Sequence, residues 1–101
     1  MKKIINGKMY NTETATKLAD YSYLYPSDFN YFEETLYKKK TGEFFLYGKG
    51  NAASKYAVSE GSNSWSSGWD IIPISESKAR SWMESYCDAD EYIAVFGEPE
   101  E

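Results

Sequence analysis

The stretch from Phe32 to Tyr47 constrains the fold of this chain more than any other. Two arms rich in aromatic and β-branched side chains, Phe32–Lys39 and Phe44–Tyr47, flank the polar turn Lys40-Thr41-Gly42-Glu43. Such side chains suit a pleated, half-buried surface, and Gly42 can take the left-handed backbone that a sharp reversal needs. A lone hairpin is marginal in water, so this one must pair with further strands and be covered on at least one face. Two other segments offer strands. Lys3-Ile4-Ile5 and Lys8-Met9-Tyr10 flank Asn6-Gly7, a dipeptide that accepts the positive φ angles of a two-residue turn. Trp69–Ile74 reads as another strand, with Pro73 near its end, where a lost backbone donor matters least.

The cover is helical. After Ser75, a natural N-cap, Ala79, Trp82, Met83, Tyr86 and Cys87 recur at i, i+3, i+4, i+7 and i+8, one continuous apolar stripe. Glu76 and Arg80 sit one turn apart on its polar side. Asp88 with Glu91 has the spacing of a capping box and opens a second helix carrying Ala89, Tyr92, Ile93 and Phe96, which Gly97 and Pro99 end. A further short helix is expected after Asn11 or Thr12, with Ala15, Leu18 and Ala19 on its apolar side. Residues 21–28 are tyrosine-rich and end in a proline turn, and Gly48–Ser59 reads as irregular, with Ala52–Ala57 either a helical turn or a strand start. Glu60–Gly68 is a polar loop around Trp65. The expected fold is α+β: a small antiparallel sheet of three to four strands with short helices packed on it, two of them C-terminal. A length of 101 residues suits one domain, 1–101, and 18% aromatic residues supply its core.

Absent residues narrow the chemistry. Without histidine the commonest neutral-pH general base is missing, and Ser–His and Cys–His nucleophile pairs cannot form within the chain. One cysteine and no imidazole cannot fill a zinc site. Asp88-Ala89-Asp90-Glu91 lacks the spacing of a calcium loop, and Gly48-Lys49-Gly50-Asn51 has neither the phosphate-loop nor the dinucleotide pattern. The adjacent Glu33 and Glu34 would point to opposite faces of a strand and so share no site. No catalytic residue, metal or cofactor is expected, and the chain reads as a non-enzyme. No apolar run approaches the roughly 20 residues that cross a bilayer, and nothing after Met1-Lys2-Lys3 resembles a secretory signal. A single cysteine fits a reducing cytosol.

Charge is distributed unevenly. Residues 1–80 hold all 11 basic side chains and 9 acidic ones, whereas residues 81–101 hold 7 acidic side chains and no basic one. Glu84, Asp88, Asp90 and Glu91, followed by Glu98, Glu100 and Glu101, therefore form a negative lobe that repels phosphate and attracts a basic protein surface. Direct nucleic-acid binding through this end is not expected. The plain alternative is that these acids keep the protein soluble and complement a helix dipole. Lys38-Lys39-Lys40 reads as a solvated turn guarding a strand edge, with a phosphate contact as the alternative. Among the aromatics, Tyr23, Tyr25 and Trp65 are candidate partner anchors, since tyrosine and tryptophan dominate protein–protein hot spots. Stacking on unpaired bases is a weaker fit for an acidic chain. Phe29, Phe32 and Trp82 are expected in the core, and Cys87 as a buried small hydrophobe.

Lys3-Ile4-Ile5-Asn6-Gly7-Lys8-Met9-Tyr10-Asn11-Thr12-Glu13-Thr14-Ala15 resembles the opening of small acidic proteins carried by phages and mobile elements of Gram-positive bacteria. Gly42–Gly50, Ile72-Pro73-Ile74-Ser75 and Asp88-Ala89-Asp90-Glu91-Tyr92 extend the resemblance along most of the chain. That loose group includes anti-CRISPR proteins, which bind an RNA-guided nuclease and block it. The resemblance implies a cytoplasmic inhibitor, in a bacterial host, whose partner is a CRISPR effector and whose acidic surface competes with phosphates for a positive channel. It implies equally an accessory or regulatory interaction protein of such an element.

Overall fold

A computed structural model describes residues 1–101. Its strands are β1 (Lys2–Ile5), β2 (Lys8–Asn11), β3 (Thr16–Tyr23), β4 (Phe32–Lys38), β5 (Phe44–Gly50), β6 (Val58–Ser59), β7 (Trp65–Ser66) and β8 (Gly68–Ile74), followed by helices α1 (Glu76–Tyr86) and α2 (Ala89–Phe96). The main sheet is antiparallel and four-stranded, in the order β3-β4-β5-β8, with β1-β2 and β6-β7 as separate two-stranded ribbons. The α+β architecture with two C-terminal helices is the one its sequence pattern specifies.

The two tight reversals form for the reasons their residues supply. Asn6 and Gly7 both take positive φ, 52° and 76°, and join β1 to β2. Gly42, at φ 95°, closes the turn between β4 and β5, where Lys39 N–H donates to the Glu43 carbonyl at 2.8 Å. Phe45 faces Tyr37 across β4 and Pro73 across β8, and Pro73 is tolerated because β8 is an edge strand.

The sheet is covered on both faces. One face carries Ala19, Leu36, Phe44 and Leu46, on which α1 lays Ala79, Trp82 and Met83. The opposite face carries Phe45 and Ile71, capped by Tyr10 from the β1-β2 ribbon. Burying both faces explains why Leu36 and Phe45 are each completely excluded from solvent. The Ser75 hydroxyl accepts from Lys78 N–H at the start of α1, and Asp88 and Glu91 complete a reciprocal capping box at the start of α2.

Several expectations are corrected. No helix forms around Ala15, Leu18 and Ala19: Ala15 lies in a bend, and Leu18 and Ala19 belong to β3, the edge strand on the side away from β8. A register shift between Lys17 and Ala19 makes Leu18 a bulge, after which Ala19 and Tyr21 face α1 while Asp20 and Ser22 face the other way. Within the stretch expected to be irregular, Gly48–Gly50 extend β5, residues 52–56 form turns rather than a helical turn, and a strand starts only at Val58. The polar loop around Trp65 holds one strand of the β6-β7 ribbon. Phe29 is 75% exposed instead of buried, and Cys87 is half-buried. Trp82 is core as expected, and no helix is long and apolar enough to cross a membrane.

Candidate functional site

The two C-terminal helices meet at an acidic groove. Arg80, the only arginine, fixes their relative placement: it bonds Glu76 on its own helix, donates to the Tyr92 hydroxyl at 3.2 Å and stands 4.5 Å from the Phe96 ring centre. Phe96 in turn packs on Phe44 of the sheet, 5.7 Å between ring centres. Beside this clamp lies an open groove of about 430 Å³. Met83, Cys87, Tyr92, Ile93 and Pro99 form its apolar lining, and Glu84 and Asp88 stand within it as carboxylates.

All seven acidic side chains of residues 81–101 are exposed. None takes part in an ion pair, whereas Asp20, Glu33, Glu34, Glu43, Asp70 and Glu76 are each paired with a lysine or Arg80. Asp88 and Glu91 have a structural duty besides. Asp88 Oδ1 accepts from Glu91 N–H at 2.8 Å, and Glu91 Oε1 accepts from Asp88 N–H at 3.4 Å. Asp90 lies between them in the first turn of α2. Burial first, and then the carboxylates of Glu91 and Asp88, pushes the Cys87 thiol above its ordinary value.

The aromatic candidates are placed differently. A row of rings leads away from α1: Trp82 meets Tyr86 at 5.6 Å, Tyr86 stacks on Tyr21 at 4.2 Å, and Phe32 lies against both Tyr21 and Tyr23. Tyr23 thus belongs to a surface continuous with the end of α1. Tyr25 and Trp65 do not: neither makes a ring contact, neither lines the acidic groove, and they are 78% and 59% exposed. The loop carrying Tyr25 and Phe29 is nonetheless held firmly. The Asn51 side-chain amide donates to the Pro26 and Asp28 carbonyls, both at 2.9 Å, and Ala53 N–H donates to the Phe29 carbonyl at 2.8 Å.

A second constellation has no counterpart in the sequence reading. Glu34, on the helix-covered face of β4, is only 2% exposed. It accepts from Trp82 Nε1 at 3.0 Å and from the Tyr56 hydroxyl, and pairs with Lys55 Nζ at 2.8 Å. Burial alone would raise its carboxyl; the hydrogen bonds from Lys55, Tyr56 and Trp82 together outweigh that and hold it below the usual glutamate value. Tyr56 reaches it because Gly48 is the residue opposite Glu34 on β5, and a Cβ there would collide with the Tyr56 ring. Gly50 and Gly68 likewise leave room for Ser54 and the Tyr56 carbonyl. Every buried polar atom of this network has a partner, so it is a closed structural unit. Glu33, on the same strand, faces away and pairs with Lys49 at 3.2 Å, as alternation requires.

The basic run at the hairpin tip is partly engaged: Lys38 lies over Phe44, and Lys39 lies over Tyr10 and pairs with Glu43. No group of three carboxylate or thiol side chains is placed to hold a metal ion. Comparison with protein-family models, with curated proteins and with solved structures finds no match to this chain.

Proposed function

We propose that this protein is a non-enzymatic inhibitor that acts in a bacterial cytoplasm by binding an RNA-guided CRISPR effector through its acidic C-terminal lobe. The observation that carries the reading is the exposure of seven carboxylates on the last two helices and the tail with no cation paired to any of them. A surface of that kind is complementary to the lysine- and arginine-lined channels that hold guide and target strands, and competes there with phosphates. The resemblance of the chain to small acidic proteins of Gram-positive phages and mobile elements supplies the class of partner.

The test is a pull-down and target-cleavage assay with effectors from Gram-positive hosts. Reversal of Glu84, Asp90 and Glu98 to lysine leaves the Asp88–Glu91 cap intact and is expected to abolish both binding and inhibition. Inhibition by the wild-type protein should weaken as salt rises, because exposed charges are screened. Full inhibition by the triple variant would remove phosphate mimicry as the mechanism.

The firmly held loop that exposes Tyr25 and Phe29 favours a second reading, an accessory interaction protein of a mobile element that uses aromatic anchors. Co-purification from a host distinguishes the two. Under this second reading, Tyr25→Ala with Phe29→Ala releases the partner and the lysine reversals do not.

A further inference from the structure

The geometry points to the groove between α1 and α2 as a receptor for an arginine side chain presented by a protein partner. This deepens the reading above and rests on it for the identity of that partner. The occupant follows from the two kinds of surface that meet there. The floor is an apolar lining of Cys87 and Ile93, both half-buried, and the exposed Pro99, backed by the fully buried Met83, and it suits the aliphatic stem of a long side chain. The walls carry Glu84 and Asp88, which have no cation of their own in this chain. The one arginine close by, Arg80, is already committed to Glu76, Tyr92 and the Phe96 ring.

A stem on the floor brings a cationic head to the two carboxylates. A guanidinium fits better than an ammonium, because it is planar, weakly hydrated, able to fork onto carboxylates and able to lie on the ring of Tyr92. The cavity, about 430 Å³, falls within the roughly 300–1,000 Å³ of ordinary ligand clefts. Phosphate-bearing ligands are repelled by the same carboxylates.

Cys87, the only cysteine, lines the groove and reports on its occupancy. The experiment follows alkylation of the intact protein by iodoacetamide at low salt. The probes are an acetylated alternating arginine–leucine peptide, the same peptide with citrulline in place of arginine, and a duplex DNA oligonucleotide. The arginine peptide should slow alkylation in proportion to occupancy, while the citrulline peptide and the DNA leave it unchanged. Glu84→Lys should weaken the peptide about tenfold, the scale on which an exposed attraction becomes a repulsion. Equal protection by the citrulline peptide, or none by the arginine peptide, overturns the proposal. Protection that grows with protein concentration alone also overturns it, because the occupant is then a second copy of this chain. Ile93→Arg fills the groove and leaves every carboxylate in place. If this variant folds, shown by an unchanged unfolding midpoint, it should lose the peptide. Effector inhibition surviving in it would separate phosphate mimicry, which stands, from arginine capture, which falls. If it does not fold, the Glu84→Lys titration decides alone.

Discussion

Truncating Glu34 to alanine should damage this fold far more than an ordinary polar-to-alanine change. The carboxylate is 2% exposed and serves two buried donors, Trp82 Nε1 at 3.0 Å and the Tyr56 hydroxyl. Its charge partner Lys55 is 51% exposed, so that part of the interaction is screened by water and contributes little. The cost comes from the stranded partners. Each buried donor left without an acceptor costs about 1–3 kcal/mol, and the vacated space adds a cavity, so a total of about 3–5 kcal/mol is expected. Glu34→Gln keeps the shape and one acceptor for Trp82, and the Tyr56 hydroxyl can rotate to accept from the new amide, which limits the loss to about 1–2 kcal/mol. Urea unfolding followed by tryptophan fluorescence measures both, with far-ultraviolet circular dichroism as the second probe. A loss below about 1 kcal/mol for Glu34→Ala, or equal losses for the two variants, would refute the reasoning.

The same carboxylate carries a pH signature. Its folded-state value lies below the ordinary glutamate value of 4.5, so its stabilisation is complete above that pH and is lost as pH falls through the folded value. The stability gap between wild type and Glu34→Gln should therefore be widest near neutrality and narrow below about pH 4.5. A gap that widens on acidification would mean the carboxyl is protonated in the folded protein.

Three further expectations follow from single contacts. Gly48→Ala should cost about 1–3 kcal/mol because its Cβ displaces the Tyr56 ring; in a Tyr56→Ala background the same change should be nearly neutral, which a double-mutant cycle reads directly. Asp88→Ala removes the acceptor for Glu91 N–H and should cost about 1 kcal/mol, with amide exchange accelerating in α2 and not in α1. Trp65→Ala should leave stability within about 0.5 kcal/mol, since the ring is 59% exposed and touches no other ring; a larger thermal shift would show that it lids the sheet.

What the sequence discloses and what it hides divide along physical lines. Turns and caps are local, so Asn6-Gly7, Gly42, Ser75 and the Asp88/Glu91 pair could be read from spacing alone, and the structure has them in those roles. The i, i+3, i+4 spacing of Ala15, Leu18 and Ala19 imitates a helix because a bulge at Leu18 leaves Leu18 and Ala19 packed on one core, while Ala15, in the bend before β3, packs on the other. The alternation of Ala19, Tyr21 and Tyr23 with Asp20 and Ser22 was the signal that favoured the strand. The Glu34 network was hidden because its partners Tyr56 and Trp82 lie 22 and 48 positions away. Two clues were present nonetheless: a charge at the core-facing position between Phe32 and Leu36, and glycines at alternate positions 48 and 50 of the paired strand. Phe29 departs from its expected burial because hydrophobicity predicts burial only when backbone geometry turns the ring inward. Here Asn51 fixes the loop with that ring outside.

The acidic groove contains one residue that the fold itself has reason to reject. Asp88 and Glu91 cap α2, and Asp90 lies in its first turn, where the helix dipole favours negative charge. Glu84 has no such justification. It sits in the last turn of α1, where the dipole disfavours an anion, and neither Arg80 nor any lysine is paired with it. Neutralising it as Glu84→Gln should therefore stabilise the protein by about 0.3–1 kcal/mol at low ionic strength, a gain that fades as salt screens the dipole. If the groove is a binding surface, the same change should weaken partner or arginine-peptide binding, so stability and binding move in opposite directions. Paired urea-unfolding and peptide-titration measurements at low and high salt decide the matter. A Glu84→Gln protein that is both less stable and equally able to bind would show that this carboxylate supports the fold, and the groove would then lose its charged wall as a recognition element.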